Sequence, residues 1–400
     1  MASSSVTEDY KVGIICALPL ERTAVEAMLD ESHEPQSTIA GDHNVYSFGS
    51  IGKHNVVIAS LGAGTYGTVS AAGVANDIRR SFPQLKYGLM VGIAGGMPRP
   101  EEEDGDIRLG DVVVGCTNGV PSIVNYNLGK DTVDGFDIRS ELGEPPEALS
   151  RAVAALESQH QKQGPTYLLH LSDMLKRNPR LNRPKLKRDY YNMPDSIDQL
   201  FNGETEMCRT ARCLRDPPDG LDAEKFVRAT GDDFHDYPDV FRGTIGSADT
   251  LMKNAASRDQ AYERVMKQRK AKLLCFEMEA SGIVRGWPCL VIRGICDYCD
   301  SHKNDSWQNF AAATAAAYAK DLLLRIPPEA VTEAKPVAEV VKAGNVQNVR
   351  ISHSGSGSVN TSFGSGSQHN YHQSGSNNRQ INAGNITTYN EAARELQCMQ

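Results

Sequence analysis

Three strand-like runs of this 400-residue chain end in carboxylates. "IICALPLER" places Glu21 just past Pro19, where a helix should begin. "CFEMEASG" sets Glu277 and Glu279 on either side of Met278 as a strand gives way to a helix, and "VIRGICDY" closes an apolar run with Asp297. Ligands of open α/β sheets bind at strand ends. A carboxylate at a helix start is commonly only a cap, and Glu21 alone reads that way. Three such sites in one domain are harder to dismiss, because burying carboxylates without purpose is costly. Such groups can protonate a leaving group and shelter the positive charge that develops beside it. An aspartic acid that donates at neutral pH needs a raised pKa, which burial beside other carboxylates would supply, and Asp297 is the expected donor. Arg293, on the same run, is expected to pair with Glu277 inside the domain.

The elements that must position these groups alternate from residue 10 to about 325. Strand candidates are "YKVGIICAL", "NVVIASLG", "YGLMVGIAGG", "DVVVGC", "GTIGSA", "KLLCFEM" and "CLVIRGICD". Most are nearly continuous in Val, Ile and Leu, which implies strands covered on both faces. Helical patterns are expected over 20–29, 68–81, 146–156, 258–269, 280–285 and 306–324. The last has a cap at Asp305 or Ser306 and stops before Pro327 and Pro328. This order predicts an α/β domain, a central mixed sheet flanked by helices on both faces.

"SLGAGTYG" after the second major run satisfies the dinucleotide template G-x-G-x-x-G. That template also needs an acidic residue ending the next strand, roughly 20 positions on. The next apolar run ends in glycines instead, so a dinucleotide is excluded as the explanation of this turn.

The net charge of −8 is modest for the length, and composition points to neither nucleic acid nor a membrane as partner. The N-terminal "MASSSVTEDY" carries acids and no apolar signal region, so a cytoplasmic protein is expected. Nine cysteines scattered among apolar runs suit buried reduced thiols. Cys296 and Cys299 with His302 lack a second ligand pair at zinc spacing, and no metal or other cofactor is expected.

The expected organisation is an N-terminal tail over 1–9, one domain over 10–326, a linker over 327–343 and a low-complexity tail over 344–400. A charged, proline-rich insertion occupies about 176–240. Its run "KRNPRLNRPKLKR" is either a solvated surface or a cationic rim for a polyphosphate. The Gly-, Ser- and Asn-rich tail cannot bury enough apolar area to fold alone and is expected to be disordered, or to stack with copies of itself.

The order "GIICALPLE", "LGAGTYGTVSAA", "VGIAGGMP", "LGDVVV", "FEMEASG" and "VIRGICD" resembles the nucleoside phosphorylase superfamily. Within it, the likeness is to the methylthioadenosine/S-adenosylhomocysteine nucleosidase branch and to fungal domains linked to NLR-like immune receptors. The resemblance implies a purine nucleoside or nucleotide substrate, N-glycosidic bond cleavage and a homo-oligomer, dimer or higher. It implies that Asp297 is the acid at purine N7 and that Glu21 positions the attacking water. Glu279 matches the carboxylate at the ribose hydroxyls, assisted by Glu277, and Met278 the residue packing beside base and sugar. Phe136 is a stacking partner for the base, while Gly62, Gly64, Ala94 and Gly95 let backbone approach the ribosyl pocket.

Phosphorylases of this superfamily hold phosphate with an arginine and a serine near the third strand's glycine turn. Val91 and Ile93 stand at those places, which favours water as the nucleophile. A phosphate-dependent phosphorylase is the alternative enzyme, and a nucleotide-sensing module without catalysis is the alternative from another class. ATP, adenosine and a 5′-modified adenosine stay open as substrates, with Lys253 and Arg258 as groups that can accommodate a triphosphate. The tail resembles, in composition and repetition, the short assembly motifs through which such receptors engage effectors.

Overall fold

The computed structural model describes residues 6–99, 106–140, 142, 144–182, 190–194, 198–200, 226–227, 238–303 and 305–342. After a short 3-10 turn come β1 (Val12–Cys16), α1 (Pro19–Met28), β2 (Glu31–His33), β3 (Ser47–Ile51), β4 (His54–Ser60), α2 (Thr68–Ser81) and β5 (Tyr87–Gly96). The middle of the chain gives β6 (Val112–Val114), β7 (Ile123–Asn125), the hairpin β8 (Gly129–Thr132) with β9 (Gly135–Ile138), α3 (Glu147–Gln163), α4 (Tyr167–Arg177) and α5 (Pro179–Asn182). A two-stranded pair, β10 (Gln199–Leu200) and β11 (Phe226–Val227), follows. The remainder is β12 (Val240–Arg242), β13 (Thr244–Ser247), α6 (Ala255–Arg269), β14 (Leu273–Glu277), α7 (Ala280–Ile283), β15 (Cys289–Asp297), α8 (Gln308–Arg325), α9 (Pro328–Glu333) and α10 (Val337–Lys342).

Eleven of these strands form one mixed sheet with the backbone order β12-β6-β15-β5-β1-β4-β3-β2. The centre is parallel, β15 to β5, β5 to β1 and β1 to β4. The flanks are antiparallel at β3 and β2, and β14 crosses the end of β5 antiparallel at Gly95 and Gly96. β1 and β15 are buried along their whole length, as continuous apolarity implies for strands covered on both sides. The structure is thus α/β, with a central mixed sheet and helices packed on it.

The alanine-rich α8 is buried along most of its length and lies directly on β15. Small side chains permit that approach, and a Cβ at Gly294 would overlap the Ala311 carbonyl. A similar contact fixes α7 against α2, since a Cβ at Gly282 would overlap the Thr68 backbone. That contact determines where Glu279, at the start of α7, meets the glycine turn before α2.

Several expectations need correction. Neither Asp305 nor Ser306 caps α8; the residue before its first turn is Trp307, and Asp305 instead accepts from the Gln308 side chain at 2.8 Å. The stretch expected as a linker is largely helical and docked, with Val331 and Val337 buried in the main core. Its Val337 N–H donates to the Leu85 carbonyl at 2.7 Å. The insertion begins on ordered helix: Lys176 and Arg177 belong to the last turn of α4, where Arg177 Nη1 reaches the Leu29 carbonyl at 2.9 Å. Most of the insertion and the whole tail over 344–400 lie outside the described residues.

Candidate active site

Arg293, on the central strand β15, is completely buried and gathers three carboxylates. Its Nη2 pairs directly with Glu277 Oε2 and lies 3.6 Å from Glu279 Oε2, while Nη1 lies 3.9 Å from Glu21 Oε1. Nη1 also donates to the Ile93 carbonyl at 3.4 Å. A lone buried guanidinium would be prohibitive, and its three anionic neighbours keep it charged: burial lowers its pKa, but Glu277, Glu21 and Glu279 more than offset this.

The three carboxylates are held differently. Glu21 Oε2 accepts the Ala17 and Leu18 N–H groups at 2.6 and 2.9 Å, the second of which ties the chain just ahead of α1. Its Oε1 accepts Ile93 N–H from β5 at 2.8 Å, so this carboxylate joins a helix start to the neighbouring strand. Burial raises its pKa, opposed by Arg293 and these three N–H groups. Glu277 caps α7, accepting from Glu279 N–H at 3.1 Å and from Ala280 N–H at 2.9 Å. Glu279 has weaker support, a 3.3 Å bond from Gly67 N–H besides the long Arg293 contact. Burial first, and then the charges of Glu277 and Glu21 against that of Arg293, push its pKa up to about 7.

Asp297, the last residue of β15, forms a second centre. Its Oδ1 accepts Cys299 N–H at 2.9 Å. Its Oδ2 accepts from the Cys296 thiol at 3.1 Å and pairs directly with Lys303 Nζ. The carboxylate neighbouring Asp297 is Asp300, which feels the Asp297 charge, whereas Glu21, Glu277 and Glu279 gather on Arg293 and Asp297 itself is paired with an ammonium. Cys299 takes the left-handed conformation at φ 58°, and the residue just before it is held from α6, where Arg258 Nη1 donates to the Tyr298 carbonyl at 2.8 Å. Arg258 is buried in that role and also pairs with Asp259, so it is not the phosphate-facing group expected of it. Lys253 is exposed.

β5 touches both centres. Arg293 stands opposite Gly92 in the sheet and Asp297 opposite Gly95. A Cβ at Gly92 would come 2.6 Å from the Glu21 carboxyl carbon, and one at Gly95 would come 2.7 Å from Asp297 Oδ1. "GIAGG" therefore has glycine where two sets of charged side chains crowd the strand. Three residues of strand separate the two contact points, about 10 Å. Between them Ala94 is buried, and its carbonyl accepts from the Cys296 thiol at 3.4 Å.

The other expected residues are placed less centrally. Met278 is half-buried between the two glutamates. Phe136 lies on β9, its ring covered by the Arg264 guanidinium 5.1 Å from the centroid. Gly62 and Gly64 are exposed, and among the described residues none crowds Gly64, whose φ of 78° supplies the reason for glycine there. The crowded member of that turn is Gly67, whose N–H meets Glu279 and whose Cβ would lie 2.6 Å from Asp249 Oδ1. Lys303 was missed by sequence reasoning, as was Asp249, which accepts from Thr68 N–H at 2.6 Å. The described cysteines Cys16, Cys116, Cys275, Cys289, Cys296 and Cys299 are buried free thiols. Among the described residues no helix is long and apolar enough to cross a membrane.

No family model matches the chain. It is 38% identical over 333 residues to a nucleotide-binding leucine-rich repeat (NLR)-like protein of Hyaloscypha variabilis, an alignment covering 82% of this chain and 30% of that protein. The chain thus spans less than a third of the length of this curated relative. Among solved structures it is similar to futalosine hydrolase of Helicobacter pylori, at 16% identity and a TM-score of 0.47, covering 79% of this chain and 97% of that one. It is also similar to 5′-methylthioadenosine/S-adenosylhomocysteine nucleosidases of Neisseria meningitidis and Colwellia psychrerythraea. These give 15% and 18% identity and TM-scores of 0.47 and 0.48, with 78% and 80% of this chain and 98% and 96% of those chains covered.

Proposed function

We propose that this chain is a purine N-glycosidase that hydrolyses the C1′–N9 bond of an adenine nucleoside or nucleotide. The observation that carries the reading is the pair of centres joined by β5: a carboxylate cluster on Arg293 at one contact point and Asp297 at the other. Breaking a ribosyl–purine bond develops cationic character on the sugar and negative charge on the base, so the reaction needs anionic groups at one end and proton delivery at the other. In this reading Glu279 accepts from the ribose hydroxyls, Met278 packs beside the base and sugar, and Asp297 addresses N7. Glu21, fixed by three backbone N–H groups, orients the attacking water.

Water rather than phosphate is favoured as nucleophile by what flanks the glycine turn. Val91 is buried and apolar, and Ile93 offers a backbone N–H already engaged by Glu21. Neither supplies the charge a phosphate dianion needs. The decisive assay incubates the protein with ATP, adenosine and guanosine, with and without phosphate, and measures free base and ribose 1-phosphate. Base release without phosphate is expected. Phosphate-dependent ribose 1-phosphate would replace the hydrolase with a phosphorylase, and binding without base release would leave a sensing module.

The similarity to an NLR-like fungal protein supports placing this activity in an immune or cell-death effector, and the proposal adds that the effector acts in the cytoplasm as a homo-oligomer. Under the same proposal the tail over 344–400 links the enzyme to an NLR-like receptor by templated assembly. Seeded fibril growth by that segment is the test, and a monomeric peptide at high concentration would remove the link.

A further inference from the structure

The described part of the charged insertion meets the domain beside both centres. Tyr191 is buried; its N–H donates to the Leu181 carbonyl at 2.9 Å, and its hydroxyl donates to the Leu20 carbonyl at 3.0 Å. Leu20 immediately precedes Glu21 and lies with it in the first turn of α1. Asp198, buried just ahead of β10, accepts from the Tyr298 hydroxyl at 2.7 Å. Tyr298 immediately follows Asp297. One segment therefore bonds to the residue next to the group assigned to water and to the residue next to the group assigned to the base. Tyr298 is buried and held at both ends, by Arg258 on its carbonyl and by Asp198 on its hydroxyl, so it cannot shift without carrying Asp297 with it. A loop that only covered surface would not need directed bonds to buried partners, where low dielectric makes such bonds strong and a misplaced one costly.

We propose that the insertion is a brace for the reaction, in which Tyr191 positions Glu21 through Leu20 and Asp198 positions Asp297 through Tyr298. The inference rests on the N-glycosidase reading. Reacting groups tolerate little displacement, and a misplacement of about 1 Å costs about 100-fold in rate. Glu21 and Asp297 come from different elements, the start of α1 and the end of β15, and the insertion bonds beside each of them. Neither Tyr191 nor Asp198 touches substrate in this scheme; both act through a neighbour. The two bonds serve different halves of the reaction, so their losses carry different kinetic signatures.

The test uses the full chain as wild type, Tyr191→Phe, Asp198→Leu and Asp198→Asn. Each is assayed on the purine nucleoside or nucleotide the wild type cleaves fastest and on 4-nitrophenyl β-D-ribofuranoside, whose phenolate leaves without help at N7. Asp198→Leu is expected to lose about 10- to 100-fold in kcat on the purine substrate, with KM nearly unchanged and little loss on the nitrophenyl riboside. Asp198→Asn keeps an acceptor for the Tyr298 hydroxyl and should stay near wild type on both. Tyr191→Phe keeps the ring but not the bond to Leu20, and its kcat should fall about 10-fold on both substrates, since both consume the water that Glu21 orients. A purely structural role predicts lower melting temperatures in circular dichroism with kcat per folded molecule unchanged, and that result overturns the brace while leaving the nucleosidase intact. So does a raised KM with wild-type kcat in Asp198→Leu or Tyr191→Phe, which would make the insertion a rim for substrate, or a loss in Asp198→Asn equal to that in Asp198→Leu. A wild type that releases base from no purine nucleoside or nucleotide overturns the enzymatic reading itself.

Discussion

The Glu279 carboxylate lies 3.6 Å from the Arg293 guanidinium, on the same nitrogen that binds Glu277 directly. Glu277 takes the larger share of that positive charge, and Glu279 is left with a carboxyl whose pKa is pushed up to about 7 by burial and its acidic neighbours.

A measurable pH dependence follows from this imbalance. The folded protein binds the Glu279 proton more tightly than the unfolded chain, whose ordinary value is 4.5. Stability from this group is complete below that value and is lost as pH rises through about 7. Denaturant unfolding of the wild type between pH 5 and 8 should show a decline that Glu279→Gln lacks, a difference of the order of 3 kcal/mol. Activity should run the other way, rising as Glu279 ionises and can shelter positive charge on the sugar. A wild type and Glu279→Gln with parallel stability profiles would contradict the assigned titration.

Removing the shared cation should hurt more than removing any one anion. Arg293→Met leaves Glu21, Glu277 and Glu279 buried without their counter-charge, and breaking buried pairs this way costs about 3–5 kcal/mol. Glu277→Gln keeps Arg293 beside two carboxylates and should cost less. Chemical denaturation compares the two, and a smaller loss in Arg293→Met would mean that the cluster carries fewer charges than drawn.

The core strands were legible because their chemistry is simple. β1, β4, β5 and β15 are runs of Val, Ile and Leu buried on both faces, and α2 spans the expected 68–81. β2 and β3 were not legible: the antiparallel edge pairs "ESH" with "SFGSI", short runs rich in polar residues and glycine. α4 carried a usable signal in Tyr167, Leu171, Met174 and Leu175, which repeat at helical spacing and bury one face. The carboxylates of the candidate site could be singled out from strand ends, because three of them in one domain are harder to dismiss as helix caps than one. Lys303 could not, since a lysine six residues past a strand in a polar loop looks like any solvated one. Arg258 misled for the same reason: sequence shows the charge but not the Tyr298 carbonyl that consumes it.

Glycines that crowd side chains should be far less tolerant than glycines that only turn. In Gly92→Ala the new methyl meets Glu21 and Arg293 together, both completely fixed, so loss of folding or of base release is expected. Gly64→Ala meets open space and suffers only its φ of 78°, a cost of about 1–2 kcal/mol. Thermal unfolding and base release measured on both variants separate the cases. Were Gly64→Ala stable but unable to release base, the substrate itself would be what approaches that turn.

The Asp297–Lys303 pair makes the simplest mutational test misleading on its own. Asp297→Asn removes the carboxylate proposed to address N7, and base release should fall by about 100- to 10,000-fold. The same change leaves the Lys303 ammonium, with only 15% of its side chain exposed, facing a neutral amide and two thiols, which destabilises the loop. Adding Lys303→Met should recover that stability, because no uncompensated charge remains, but should recover none of the activity. Circular dichroism melts report the first quantity and free-base release the second. Activity restored along with stability in the double variant would mean that Asp297 shapes the loop and takes no part in the chemistry.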